Sequence, residues 1–501
     1  MAKTKAFKPK ARRPRGFEDR AADVLRAERA LIRAASGVYE QWGFEPLETP
    51  AFEYADALGK FLPDEERPNE GVFAMQDEDA QWMALRYDLT APLARFAAEN
   101  FQDLAKPFRR YQYGEVWRNE KPGPGRFRQF VQCDADSVGA PGPAADAEMI
   151  ALASEVMGAA GLSEGEYVIR VNDRRLLDGV LESLGTASLE KRMRVLRAID
   201  KLDRLGMAGV EQLLGEGRKD ESGDFTEGAG LDVEQRKLVL DLLKQSSISR
   251  FVEGQSTEDR NAAALERLET YFGELPTSRA AIEALHEIHG ILGALGKTPA
   301  HWQIDTSIVR GLGYYTGPVF EAELLASATY EDGSPMRFGS IGGGGRYDDL
   351  VARFTGQAVP ATGFSFGVSR FAAALSALGR LEGAGADPLV VVVAAEKDRM
   401  ADYFAIAAEL RAAGLRAEAF VGGGNMGKQL KYADRRGADF AVIVGSEERE
   451  AGTVSVKDLK LGAKIAQEVT DREEWAEQRQ QFTVRRDELV SEIKARLSAA
   501  E

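Results

Sequence analysis

Between positions 20 and 42 apolar side chains recur at threes, fours and sevens: Val24, Leu25, Leu31, Ile32, Ala35, Val38 and Tyr39. That spacing predicts an amphipathic helix, with Glu28 the one polar interruption of its stripe. Gly43 ends it, and Pro46 and Pro50 keep residues 44–50 extended. Residues 71–85 read as a hairpin about Asp77-Glu78-Asp79-Ala80, and a helix begins at Ala91. Residues 108–120 form a strand, KPGPGRFR a loop and QFVQCDADSVG a second, antiparallel strand. Residues 145–161 are helical and 166–171 extended.

From 173 to about 296 the pattern is almost wholly helical, with charged turns such as GEGRKDESGDFTEG. Residues 301–320 return to strand, a polar hairpin-like segment leads to FGSIGGGGRYDDL, and residues 361–378 run from strand into helix. After a glycine-bearing linker at 379–387, strands alternate with helices, which predicts a compact α/β domain on a largely parallel sheet. A long, charge-laced helix is expected over 472–499.

Two stretches concentrate ligand-binding chemistry. On the second strand, period two puts Phe130, Gln132, Asp134 and Asp136 on one face. Such a polar comb suits an ammonium or an imidazole; a solvated sheet face is the bland alternative. Residues 308–350 bring Arg310, Tyr314 and Tyr315 before four glycines, Gly342 to Gly345, and Arg346. An aromatic floor, a fixed cation and a side-chain-free surface suit a small molecule carrying phosphate; a hairpin with a glycine-rich turn is the alternative. Arg118 and Glu120 end the first strand, and Arg126 lies in the loop that follows, placed to fold over a polyphosphate. Arg370 sits at a strand-to-helix junction, either facing an anion above the sheet or simply on the surface. Asp88 and Thr90 lie just past a strand end, where either serves as a helix N-cap or faces a ligand.

Composition narrows the classes. The 501 residues suffice for two or three domains, and the net charge of −15 argues against broad nonspecific DNA binding. Local basic patches keep a nucleic-acid partner open: the start MAKTKAFKPKARRPR, Arg109 with Arg110, and residues 428–436. Cys133 is the one cysteine, which excludes an intramolecular disulfide and fits a reducing cytoplasm. With only His286, His289 and His301 besides, no zinc and no Cys/His metal site is expected. No run of about 18 apolar residues exists, so no membrane span is expected. The basic start lacks an apolar segment and is expected to be a disordered arm, with a transit peptide as the alternative.

The motifs taken together resemble the histidyl-tRNA synthetase family of class II aminoacyl-tRNA synthetases, from position 15 to about 469. The helix and strand ending at Pro50 resemble class II motif 1, WRNE with GRFRQFVQ motif 2, and FSFGVSRF motif 3. RGLGYYTGPVFE and GGGGRYDDL are similar to the two histidine-specific signatures, and VGGGNMGKQLKYADRRGADFAVIVG resembles the family's anticodon-binding domain.

The resemblance implies a mixed α/β (α+β) architecture: a catalytic core on an antiparallel sheet, a helical insertion, and a C-terminal α/β domain. The implied boundaries are 1–14 for the arm, 15–185 and 297–380 for the core, 186–296 for the insertion and 387–501 for the last domain. It implies that L-histidine and ATP, with Mg²⁺, form histidyl-adenylate, and that the histidyl group passes to the 3′ end of tRNA(His). Arg118 would hold the α-phosphate, Arg370 the γ-phosphate and Arg126 the triphosphate. Glu120 would meet adenine or its ribose side, and Arg310 would stabilise charge on the α-phosphate. Asp88, Thr90 and Gln132 would take the α-amino group. Asp136 and Tyr314 would read the ring nitrogens, with Tyr315 packing nearby. Motif 1 implies a homodimer. LRYDLT stands where many bacterial members carry LRPEGT, and Asp136 replaces a common glutamate; the loop 121–124 differs from the usual bacterial one, and that difference alone implies altered reading of the tRNA acceptor end. Two rivals share the fold: a non-charging regulatory histidine-binding subunit, and a synthetase for glycine or threonine.

Overall fold

The structure is a computed structural model describing residues 9–58, 71–123, 127–185, 188–219, 223–251, 260–309, 315–329, 335–380, 387–461 and 481–499. They fall in two compact units, 1–384 and 385–501.

The first unit is built on an eight-stranded sheet. Its order is Glu45–Pro46, Phe108–Trp117, Gln129–Val138, Ala361–Gly367, Pro335–Arg346, Pro318–Thr329, Tyr167–Asp173, Trp302–Ile304. The central strands pair antiparallel throughout. Only the two short edge strands pair parallel.

Alternation divides the sheet into an apolar and a polar face. Val131, Cys133, Ala135, Phe320, Phe364 and Phe366 point into the core. Helices Ala22–Gln41, Pro143–Ala159 and Val368–Ala377 cover that face. The helix Pro143–Ala159 is buried on nearly every side, at Ala147, Met149, Ile150, Leu152, Ala153 and Val156, so it shows no stripe. The first helix keeps the expected stripe from Ala27 onward, while Val24 is 45% exposed. Glu28 is buried within the stripe yet satisfied: Arg20 donates to it at 2.8 Å and the Ser369 hydroxyl at 2.7 Å. The polar interruption therefore ties the first helix to the helix that follows Gly367.

Among the described residues of the helical region 174–296 there is a departure from expectation. GEGRKDESGDFTEG holds a short hairpin, Gly217–Lys219 against Phe225–Glu227. Val195, Leu214, Leu243, Leu265 and Ile288 of this region join the same buried cluster as Ile150 and Phe364. The hairpin expected at 71–85 forms as Ala74–Gln76 against Trp82–Leu85.

The four glycines are not a turn. Gly342 to Gly345 lie inside the strand Pro335–Arg346, paired to Pro318–Thr329 on one side and Ala361–Gly367 on the other.

In the second unit the strand order is Arg416–Ala419, Leu389–Val393, Phe440–Ile443, Thr453–Asp458, Gln481–Arg485. The first three run parallel and the last two pair antiparallel, so the sheet is mixed rather than largely parallel. Of the helix expected over 472–499, residues 472–480 lie outside the described residues, and the rest is corrected to the strand Gln481–Arg485 and the helix Leu489–Ala499. Phe482 and Val484 alternate with polar neighbours and pack on Val454, Val456 and Leu489. That period-two burial outweighs the charged, helix-favouring composition around it. Among the described residues no helix is long and apolar enough to cross a membrane.

Candidate active site

The polar face of the large sheet carries the candidate site, and strand register fixes its layout. Arg110, Asp136, Gly363 and Gly345 align across four strands. Gln112, Asp134, Ser365 and Gly343 form the next row, and Gly114, Gln132 and Gly367 the one after. The polar comb is therefore a buried surface, not a solvated one: Asp134 and Asp136 are 1% and 2% exposed.

Glycine makes this packing possible. A Cβ on Gly363 would sit 2.0 Å from Asp136 Oδ1, so the carboxylate lies directly across that backbone. Gly345 has φ +155°, and a Cβ there would meet the Tyr315 ring at 3.0 Å. Gly343 faces open space apart from the Phe320 carbonyl 3.2 Å away. The result is a floor without side chains beside a row of carboxylates.

Asp136 is hydrogen-bonded at one oxygen and ion-paired at the other. Arg110 Nη2 lies 2.9 Å from Oδ2, and the Tyr347 hydroxyl donates to Oδ1. Burial raises the Asp136 carboxyl above the usual range, while Arg110 and then Tyr347 oppose that rise. Arg110 also donates to the Leu89 carbonyl at 2.9 Å, so it ties Asp136 to the residue between Asp88 and Thr90. Asp88 accepts from the Ala91 amide at 2.9 Å and so caps the helix Thr90–Glu99. Burial raises its carboxyl too, opposed by that hydrogen bond and by Arg118. Arg118 donates to the Tyr87 carbonyl at 3.1 Å and lies 5.1 Å from the Phe130 ring centroid. Gln132 donates through Nε2 to Ser365 Oγ at 2.7 Å. Tyr315 packs with Tyr347 and Val351.

The structure thus brings together Asp88, Thr90, Arg118, Gln132, Asp136 and Tyr315. Arg370 stands on the first turn after Gly367, exposed, and donates to the Phe338 carbonyl at 2.8 Å. Glu120 is exposed, and its carbonyl accepts from Arg128 at 3.0 Å. Arg126, Arg310 and Tyr314 lie outside the described residues.

Three cations read from the sequence as available are engaged elsewhere. Arg110, assigned with Arg109 to a basic patch, is wholly buried beneath Leu89, and Arg109 pairs with Glu148 at 2.7 Å. Arg346, the cation after the glycines, points to the opposite face from Gly345. There it donates to Asp146 at 2.8 and 2.9 Å and to the Gly142 carbonyl at 2.6 Å. Residues 428–436 do present Lys428, Lys431 and Arg435 to solvent. Sequence reasoning missed Tyr347 and Ser365. Period two was the available signal: Gly343, Gly345 and Tyr347 share a face.

Among the described residues no group of three or more His, Cys, Asp or Glu side chains is placed to hold a metal ion.

A family model described as histidyl-tRNA synthetase matches residues 16–371, and an anticodon binding domain matches 389–496. The chain belongs to the histidyl-tRNA synthetase family. A histidine–tRNA ligase of Caulobacter vibrioides is 57% identical over 489 residues, 97% of each chain. One from Rhodopseudomonas palustris is 52% identical over 498 residues, 98% of this chain and 96% of that one. The crystal structure of histidyl-tRNA synthetase from Nostoc sp. PCC 7120 matches with a TM-score of 0.71 at 30% identity, covering 98% and 100% of the two chains. In this histidyl-tRNA synthetase family member the antiparallel core and the anticodon-binding unit are the two folded parts described above.

Proposed function

We propose that this chain activates L-histidine with ATP and transfers the histidyl group to the 3′ end of tRNA(His). The observation that carries the reading is the buried carboxylate row beside a glycine floor, with Arg118 at its edge. A zwitterionic amino acid with a polar ring needs acceptors for its ammonium and ring nitrogens, and a phosphoanhydride needs fixed cations. Asp88, Thr90 and Gln132 take the ammonium. Asp136 and Tyr314 read the ring, with Tyr315 against it. Arg118, Arg126, Arg310 and Arg370 serve the phosphates, and Glu120 the adenosine. Magnesium arrives on the triphosphate, where substrate oxygens supply most of its ligands.

The domain division at 15–185, 186–296 and 297–380, the homodimer and the cytoplasmic location belong to the same reading. The regulatory-subunit alternative is disfavoured by the anticodon-binding match at 389–496, which a purely regulatory histidine-binding subunit has no use for. The test is ATP–pyrophosphate exchange with each standard amino acid, repeated for Arg118→Ala. Exchange with histidine alone, lost in the variant, is expected. Exchange with another amino acid, or with none, overturns the reading.

A further inference from the structure

We propose that Asp134 is itself a substrate-binding residue, a second carboxylate that meets the α-ammonium group of histidine beside Asp88 and together with Gln132 Oε1. The proposal rests on the histidine-activating reading and adds to it a ligand that the family motifs did not supply.

The first observation is an imbalance of hydrogen-bonding types. Among the described residues Oε1 of Gln132 has no hydrogen-bond partner, and the two oxygens of Asp134 share a single donor, the Ser365 hydroxyl. All three atoms are buried, and all three are acceptors. Ser365 Oγ accepts from Gln132 Nε2 and keeps one proton, which serves only one of the two Asp134 oxygens. Buried acceptors that outnumber their donors call for a donor-only ligand, and an alkylammonium supplies three N–H donors and no acceptor.

The second observation is charge. Asp136 and Asp88 lie close enough to raise Asp134, and Asp136 raises Asp88. Asp136 has Arg110, and Asp88 has the Ala91 amide and the field of Arg118. Arg86 also faces Asp134, but its guanidinium is spent on the carbonyls of Glu115, Thr49 and Pro50. From beneath the sheet Tyr39 and Cys133 face Asp134, and burial raises both, which keeps them neutral. Asp134 is therefore the carboxylate of the row left without its own cation. Burial first, then Asp136, push it up to about 8, with Arg110 opposing.

A buried carboxyl of this kind is protonated in the empty site near neutral pH and ionised once a cation sits against it. Histidine binding then expels a proton. Each unit of pH below about 8 weakens binding by up to tenfold, the limit for one linked proton.

Calorimetry of the full chain in buffers of different ionisation enthalpy reads that proton directly. Histidine and histidinol, which keep the ammonium, are expected to release it near pH 7. Imidazolepropionate, which lacks the ammonium, is expected not to. Asp134→Asn conserves shape; it is expected to lower the release by about one proton. It is also expected to raise the histidine KM tenfold or more and leave the ATP KM unmoved. Equal proton uptake or release for all three ligands in the wild type overturns the assignment without any variant. So does an Asp134→Asn enzyme with unchanged release and KM. A wild type with no histidine-dependent exchange would instead remove the functional reading beneath it, so the two failures are distinct.

Discussion

Tyr347 and Asp136 are 211 residues apart in the chain, and the tyrosine hydroxyl donates to Oδ1 of the carboxylate at the bottom of the site. Arg110 takes the other oxygen from the opposite side. A short side chain hydrogen-bonded at one oxygen and ion-paired at the other has little room to swing, so Asp136 presents its remaining lone pairs in one preferred direction. A reader of ring nitrogens needs that property, because specificity from hydrogen bonds depends on donors and acceptors that cannot relax toward a wrong ligand.

Tyr347→Phe deletes one hydroxyl and leaves the ring packing. The partner oxygen is then buried without its donor, at a stability cost of about 1–3 kcal/mol. The Asp136 carboxyl rises further, because a contact that opposes its elevation is gone. The histidine KM is expected to rise several-fold, most at low pH, with the ATP KM unchanged. Pyrophosphate exchange at several pH values and urea melts measure both effects. An unaltered histidine KM would show that Asp136 does not depend on its tyrosine.

The glycine run makes opposite predictions at adjacent positions. A Cβ at Gly344 would lie 2.0 Å from the Gly363 carbonyl and 2.5 Å from the Phe320 ring, so Gly344→Ala is expected to prevent stable folding. Gly343 lies on the other face, where its Cβ would meet only the Phe320 carbonyl at 3.2 Å. Gly343→Ala is expected to melt near the wild type, since alanine also loses less backbone entropy than glycine on folding. Its methyl group would stand on the floor of the site and raise the KM of histidine or ATP. Soluble expression, melting temperature and exchange kinetics separate the two. A well-folded Gly343→Ala with wild-type constants would remove the floor from the site.

Alternation made the antiparallel pair at 108–138 and its polar comb legible, because one residue of slip would have placed Cys133 and Ala135 in the site and the aspartates in the core. The strand-to-helix step at Arg370 was legible for the same reason, whereas the architecture of the core came from the resemblance of the motifs to a known family. What alternation alone did not reveal was which polar groups are spent on one another. Arg110 reads as a surface cation beside Arg109 until register puts it opposite Asp136. Arg346 reads as a phosphate-facing cation until its parity with Gly345 sends it to Asp146 instead. The strand Gln481–Arg485 was hidden because its apolar residues, Phe482 and Val484, are too few to set a period against the charged residues around them.

Ionisation of the carboxylate row sets how stability depends on pH. Folding raises Asp134 from 3.8 to about 8, so the folded empty protein holds that proton more tightly than the unfolded chain does. The stability this provides is fully present below the unfolded value and is lost as pH rises toward and through about 8. The unfolding free energy of the ligand-free protein is therefore expected to fall between about pH 5 and pH 8, by at most about 1.4 kcal/mol per unit from this group. Asp146, raised to about 6, and Asp88 and Asp136, raised by burial, push the same way. The informative quantity is therefore the difference between the wild type and Asp134→Asn in urea melts across that range. The variant is expected to lose less stability with rising pH. Saturating histidine is expected to flatten the wild-type curve, because the bound ammonium stabilises the ionised carboxylate. Parallel curves for the two proteins would mean that Asp134 stays ionised in the empty site.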